Sequence, residues 1–292
     1  MNKIPFTYYM DWSKPAVYRP ALMSEFADNG AENVVFDSNL VGWIASDASF
    51  RRQLVKDMDR TGLKFVDGHA AYSAESTFTA PDELRGMVIA RSMLTLAIMA
   101  DFGVKNCCFH VGKASEYQGM TVEEGRRNVR LALDAVLPYA EKLGVVIGLE
   151  NIFHPLNNSA HVVELIKEYD SPNLGICFDC GHANIMENGK NNPNCVMYNR
   201  WGLVGFKPEE IIWETDVLGA FLPYIVMCHL HDNDGVTDQH LLPGSGTVDF
   251  KKVLSRLKDA PRLTTMQSEV IRGVNSVKCL CRTWEQVLKE NW

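Results

Sequence analysis

Nine side chains that can bind a divalent cation or carry a proton recur at matching points of the sequence. His69, His110, Glu150, Asp179, His182, His229 and Glu269 each end a short apolar run or follow one closely, and Asp238 and His240 come shortly after His229. A single histidine or aspartate at such a place is ordinarily a hydrogen-bonding or helix-capping group. Five of the chain's eight histidines fall there, which unrelated scatter would rarely produce. Brought together, these acids and imidazoles would repel one another and lose hydration. A shared cation relieves both costs, and a mixture of imidazole and carboxylate donors suits Mn²⁺, Zn²⁺ or Co²⁺.

The elements that would gather these residues follow from hydropathy patterning. Strands predicted at 4–10, 33–37, 64–69, 106–110, 145–150, 174–179, 224–230 and 263–270 alternate with amphipathic segments. One helix opens at Pro81 among acids and closes at Gly103, and another runs from Thr121 to Gly144. Eight βα repeats in 292 residues predict an α/β fold, a (β/α)8 TIM barrel forming a single domain over 1–292. No GxGxxG follows the first strand, which removes the usual sign of a dinucleotide fold. Barrel strands are all parallel, so residues at their C-terminal ends meet on one face, where barrel enzymes keep their chemistry. One interval exceeds the minimal repeat: an insertion at about 186–219, before strand seven, rich in Asn, Gly and aromatics. It is expected either to close over substrate or to form a surface excursion or a homo-oligomer contact.

Composition narrows the function classes. Hydrophobic residues make up 46% and charged residues 22%, as in ordinary packed domains. A net charge of −7 with a pI near 5.6 offers no overall positive field to gather phosphate backbones, which argues against a nucleic-acid partner. The first residues lack a long apolar core and no stretch of about 18 apolar residues occurs, so a non-exported protein without a membrane span is expected. Cys107, Cys108, Cys177 and Cys228 lie inside strand-like apolar runs, where a reduced thiol acts as a small hydrophobe; a cytoplasmic location fits.

Five segments carry a family resemblance: GLEN (148–151), CFDCGHANI (177–185), HLHDND (229–234), DQHLLPGSG (238–246) and SEV (268–270). With them the chain resembles the sugar phosphate isomerases and epimerases, xylose isomerase-like barrels whose superfamily also contains the endonuclease IV type of apurinic-site nuclease. The epimerase-like members imply one metal held by Glu150, Asp179, His229 and Glu269, with His231 as an alternative to His229. The nuclease-like members imply up to three metal ions, with His69, His110, His182, Asp238 and His240 as additional ligands or substrate contacts. Several departures weigh against nuclease activity. Small and acidic residues follow His69 in AAYSAESTF, Cys-Gly follows Asp179, HLHD replaces HLND, and the loop from His229 to Asp238 is short.

The chemistry implied is carbohydrate isomerisation or epimerisation. A metal chelated by the carbonyl and adjacent hydroxyl of a sugar acidifies the neighbouring C–H by stabilising an enediolate. Glu150 and Glu269 enter from different strands and are expected to remove and return the proton as catalytic residues. Lys113, Asn151, His154, His231 and Arg272 are the expected contacts to a small-molecule sugar substrate, whether phosphorylated or not.

Overall fold

A computed structural model describes residues 4–73, 76–112, 119–271, 273–274 and 276–292. Eight parallel strands run along the chain: β1 (Phe6–Tyr8), β2 (Asn33–Val34), β3 (Asp67–His69), β4 (Asn106–Phe109), β5 (Val146–Glu150), β6 (Leu174–Asp179), β7 (Ile225–Leu230) and β8 (Thr265–Ser268). Their order in the sheet is β2-β1-β8-β7-β6-β5-β4-β3. The two edges of that series meet through the parallel bridges Asn33 to Lys64 and Phe36 to Gly68, which nearly close the sheet into a (β/α)8 TIM barrel. A Cβ at Gly68 would lie 2.9 Å from the Phe36 carbonyl oxygen, so this seam requires glycine.

The strands are shorter than their apolar runs. Only two of the five residues predicted for the second strand, 33–37, pair continuously, because beyond Val34 its link to β3 reduces to an isolated bridge. Between strands, local signals set the helices. The helix Val122–Leu143 starts on a reciprocal capping box between Thr121 and Glu124 and stops at Gly144, whose φ of 67° is left-handed. Its buried face, including Val129, Leu133 and Val136, joins Ile147, Leu149 and Ile176 in the main apolar layer.

Inside the barrel the packing turns polar. Thr7 Oγ1 donates to Asp67 Oδ2 at 2.9 Å, and Asn106 Nδ2 donates to Thr265 Oγ1 at 3.1 Å. Burial pushes the Asp67 carboxyl up to about 7, against the Thr7 hydrogen bond and the pull of His229.

The 186–219 insertion is built from short elements packed on the barrel rather than an irregular excursion. It contains the helix Val196–Leu203, with Trp201 buried and set edge-on to Phe206 at 5.3 Å. The helix start is tied to the loop after β7 by Val196 N donating to Val236 O at 2.9 Å. All eight cysteines are free thiols. Among the described residues, no helix is long and apolar enough to cross a membrane.

Candidate functional site

Strand ends bring the predicted residues together. Glu150 and Asp179 are the last residues of β5 and β6, His229 is next to last in β7, and His110 and Glu269 each follow their strand by one residue. Asp179 is also the N-cap of the helix Cys180–Asn188, its Oδ1 accepting from His182 N at 2.6 Å. That bond fixes the carboxylate where β6 gives way to helix.

Glu150 is 1% exposed and sits among imidazoles, with Oε1 2.6 Å from His229 Nδ1 and Oε2 2.6 Å from His110 Nε2. His229 Nδ1 also lies 3.1 Å from Glu269 Oε1 and 4.0 Å from Asp179 Oδ2. Gln267 Nε2 donates to the same Glu269 oxygen at 3.0 Å, which orients it. Around Asp238, His240 Nε2 is 3.2 Å from Oδ1 and His182 Nε2 is 3.5 Å from Oδ2. His231 Nε2 stands 3.2 Å from Asp179 Oδ1 and 4.0 Å from Asp238 Oδ1.

Backbone carbonyls set the tautomers. Because a carbonyl only accepts, Nδ1 carries the proton in His69 (to Ala70 O, 2.6 Å), in His182 (to Asn151 O, 2.7 Å) and in His240 (to Glu269 O, 3.0 Å). Each therefore presents Nε2 to a carboxylate, the arrangement metal-binding imidazoles use. His229 is reversed, with Nδ1 toward the acids and its buried Nε2 without a hydrogen bond.

Charge follows contact. Burial opposes ionisation of Glu150, but His229 and His110 outweigh it and hold the carboxyl well below the usual range. Asp179 is also lowered, burial being overcome by His182 and His231, and Asp238 is lowered against burial by His182 and His240. His229 and His182 are raised well above the ordinary imidazole value, because Glu269 and Glu150 for the first, and Asp179 and Asp238 for the second, outweigh burial. His240 rises to about 9, burial being outweighed by Asp238, whereas burial wins at His110 and lowers it.

Three sets of donor atoms, each within 4.8 Å of one another, could hold a cation: Glu150, Asp179, His229 and Glu269; His69, Cys108, Glu150 and His229; and His182, His231, Asp238 and His240. Buried Asp179 Oδ2, Asp238 Oδ1 and His231 Nε2 have no hydrogen bond. Unsatisfied buried oxygens and nitrogens of this mixed kind fit a divalent ion, so the residues suit a metal centre. His110 is placed on Glu150 but outside these sets, and His231 joins the set around Asp238 rather than replacing His229.

Beside the cluster lies a cavity of about 350 Å³ lined by His69, Tyr72, His110, Glu150, His182, Asp238, His240 and Glu269, together with Tyr9, Asp37, Arg200 and Gln267 and the apolar Val35, Ile152, Phe153 and Ile271. Three expected substrate contacts do not line it: Asn151, His154 and His231, the last fully buried between Asp179 and Asp238. Asn151 is fully buried, its Oδ1 accepting from Asp179 N at 2.8 Å and its Nδ2 donating to Asp179 O at 2.9 Å, so both amide ends are spent joining β5 to β6. His154 faces a separate small pocket and takes Leu156 N at 3.2 Å, and burial pushes its ring down to about 4. Lys113 and Arg272 lie outside the described residues. Of the residues sequence reasoning missed, Asp37 ends a predicted strand and carried the same signal as the others; Arg200 sits in the insertion and carried none.

A family model described as xylose isomerase-like TIM barrel matches residues 24–266. A relative from Methanocaldococcus jannaschii, MJ1311, is 28% identical over 187 residues, or 62% of this chain and 56% of that protein, so the chain spans about half of that relative's length. Among solved structures, a D-tagatose 3-epimerase-like protein is 21% identical with a TM-score of 0.70, covering 99% of this chain and 97% of its own. The IOLI protein with a bound zinc atom is 16% identical with a TM-score of 0.69, covering 99% of each chain.

Proposed function

Because the chain belongs to the xylose isomerase-like TIM barrel family, we propose that it is a divalent-metal-dependent isomerase or epimerase of a small sugar, with Glu150 and Glu269 as the proton-transfer pair. Sugar epimerases among its structural neighbours support the class of reaction. One geometric relation carries the assignment of residues. Oε1 of Glu150 and Oε1 of Glu269 flank a single nitrogen, His229 Nδ1, at 2.6 and 3.1 Å, beside a cavity within the size range of small-molecule sites.

Glu150, Asp179, His229 and Glu269 would hold the ion, with Mn²⁺, Zn²⁺ and Co²⁺ all suited to that donor set. When bound, it would supply Lewis acidity at the substrate carbonyl and so acidify the adjacent C–H. The protein supplies the rest. Glu150 and Glu269 reach the cavity from β5 and β8, so one carboxylate takes the proton from carbon and the other returns one from a different side. Return to the opposite face of the same carbon inverts it, whereas return to the neighbouring carbon interconverts aldose and ketose. Gln267 holds Glu269 in place, and Phe153, Ile152 and Ile271 give the cavity an apolar stretch of wall.

Solvent deuterium entering a ketose at the carbon beside the carbonyl tests this. Glu150→Gln and Glu269→Gln should each lower the exchange rate by about 10²- to 10⁴-fold. Undiminished exchange in either variant would remove that glutamate from the reaction.

The set of His182, His231, Asp238 and His240 supports a second reading, a multi-metal phosphodiesterase of the endonuclease IV type. Three zinc ions per chain together with cleavage of an abasic duplex would select it over the sugar reaction. A cavity of about 350 Å³ lined partly by Ile152, Phe153 and Ile271 favours the small sugar.

A further inference from the structure

Arg200 is the one arginine or lysine among the described residues lining the cavity. It stands in the last turn of the helix Val196–Leu203, and its place there is enforced rather than incidental. The next residue, Trp201, is buried against Phe206, and on the other side Tyr198 packs on Trp213 at 5.5 Å and donates through its hydroxyl to Lys190 O at 2.6 Å. The helix is thus pinned, with Arg200 between its anchors.

The acids sharing the cavity are already engaged elsewhere. Glu150 faces His229 and His110, Asp238 faces His182 and His240, and Glu269 takes Gln267. Asp37 Oδ1 accepts from Asn39 N at 2.8 Å and from Asn39 Nδ2 at 2.7 Å, capping the helix Ser38–Ser46. No carboxylate among the described residues pairs with Arg200. A guanidinium offers five N–H donors in a planar fork and no acceptor, a shape that matches two oxygens of a carboxylate or phosphate better than a lone hydroxyl. A half-buried fork without a partner among the described residues, held at a cavity wall, has the chemistry of a recognition group.

We propose that the substrate of this site is an anionic sugar, a sugar phosphate or a sugar acid, whose phosphate or carboxylate is bound by Arg200. The proposal rests on the sugar reaction above and adds the substrate class. Arg200 comes from the segment between β6 and β7, whereas the proton-transfer pair comes from β5 and β8, so anion recognition and proton transfer are assigned to different elements. The cavity lining then combines two chemistries, metal and proton-transfer groups from strand termini and an anion-binding group from the insertion.

The test compares a neutral ketohexose, its phosphate ester and the matching keto sugar acid on the metal-loaded protein, its Arg200→Gln variant and its Arg200→Lys variant. Deuterium exchange gives kcat and KM, and the rise in Tm on adding each sugar gives binding without needing turnover. In the wild type, one anionic sugar should outperform the neutral one by about tenfold or more in kcat/KM, and which one does so separates phosphate from carboxylate. Arg200→Gln should remove about 10- to 100-fold of that advantage, chiefly through KM, with a much smaller loss on the neutral sugar and Arg200→Lys recovering part. If no sugar exchanges deuterium, the isomerase reading fails, yet a Tm rise with the anionic sugar that Arg200→Gln abolishes would still uphold Arg200. Equal losses on neutral and anionic sugars, or Tm rises that are the same in wild type and Arg200→Gln, would overturn the proposal.

Discussion

The rings of His231 and His240 stack face to face, with centroids 3.9 Å apart and planes 16° from parallel, and both point Nε2 toward Asp238 Oδ1. Two rings stacked this closely, with both Nε2 atoms aimed at one carboxylate oxygen, form with His182 a compact donor set for a cation. The set around Asp238 is therefore expected to take up an ion of its own. Metal analysis of Asp238→Asn should show about one equivalent fewer than the wild type, with the ion at Glu150 retained. An unchanged metal content would show that these imidazoles are satisfied without a cation.

Asn151 is expected to act on the metal centre from outside it. Asn151→Ala breaks the two bonds of 2.8 and 2.9 Å to the Asp179 backbone and removes the side-chain acceptor of its buried N–H. The loss should be about 1–3 kcal/mol of stability, measured by denaturant unfolding, together with weaker metal binding because Asp179 is no longer held. A direct sugar contact would instead raise KM and leave both quantities alone.

Asp67 gives a pH signature of known sign. Its carboxyl is raised to about 7 by burial, so the folded protein binds a proton there more tightly than the unfolded chain does. Stability from this group is complete below about pH 4, falls as pH rises toward 7, and is level above that. Asp67→Asn removes the titrating group and keeps an acceptor for Thr7. The variant should match the wild type near pH 4 and exceed it by roughly 2–4 kcal/mol at pH 8 in urea unfolding. A stability difference that does not change with pH would mean that Asp67 is charged and compensated in the fold.

The barrel and its cluster were legible because parallel strands turn a one-dimensional regularity, acids and imidazoles at the ends of apolar runs, into proximity. Glu150, Asp179 and His229 show this directly, and Asp37 would have been found by applying the same rule to the second strand. Side-chain assignments beyond the strand ends were less secure, since they depend on partners that spacing does not specify. Asn151 follows a probable ligand, as a substrate contact would, yet both ends of its amide are taken by the backbone of Asp179. His154 belongs to a loop that turns back on Leu156. Arg200 was invisible because its position depends on how Trp201 and Tyr198 seat one short helix, a packing outcome with no periodic trace in the sequence.

The most direct measurement is the rate of solvent deuterium incorporation into a ketose by protein stripped with a chelator and then titrated with Mn²⁺, in the wild type and in Asp179→Asn. If Glu150, Asp179, His229 and Glu269 hold the ion that the reaction needs, stripped protein should be inactive and Mn²⁺ should restore exchange to saturation, with Asp179→Asn needing at least about tenfold more metal. Exchange that survives stripping, or that returns in Asp179→Asn at the same metal concentration as in the wild type, would contradict it.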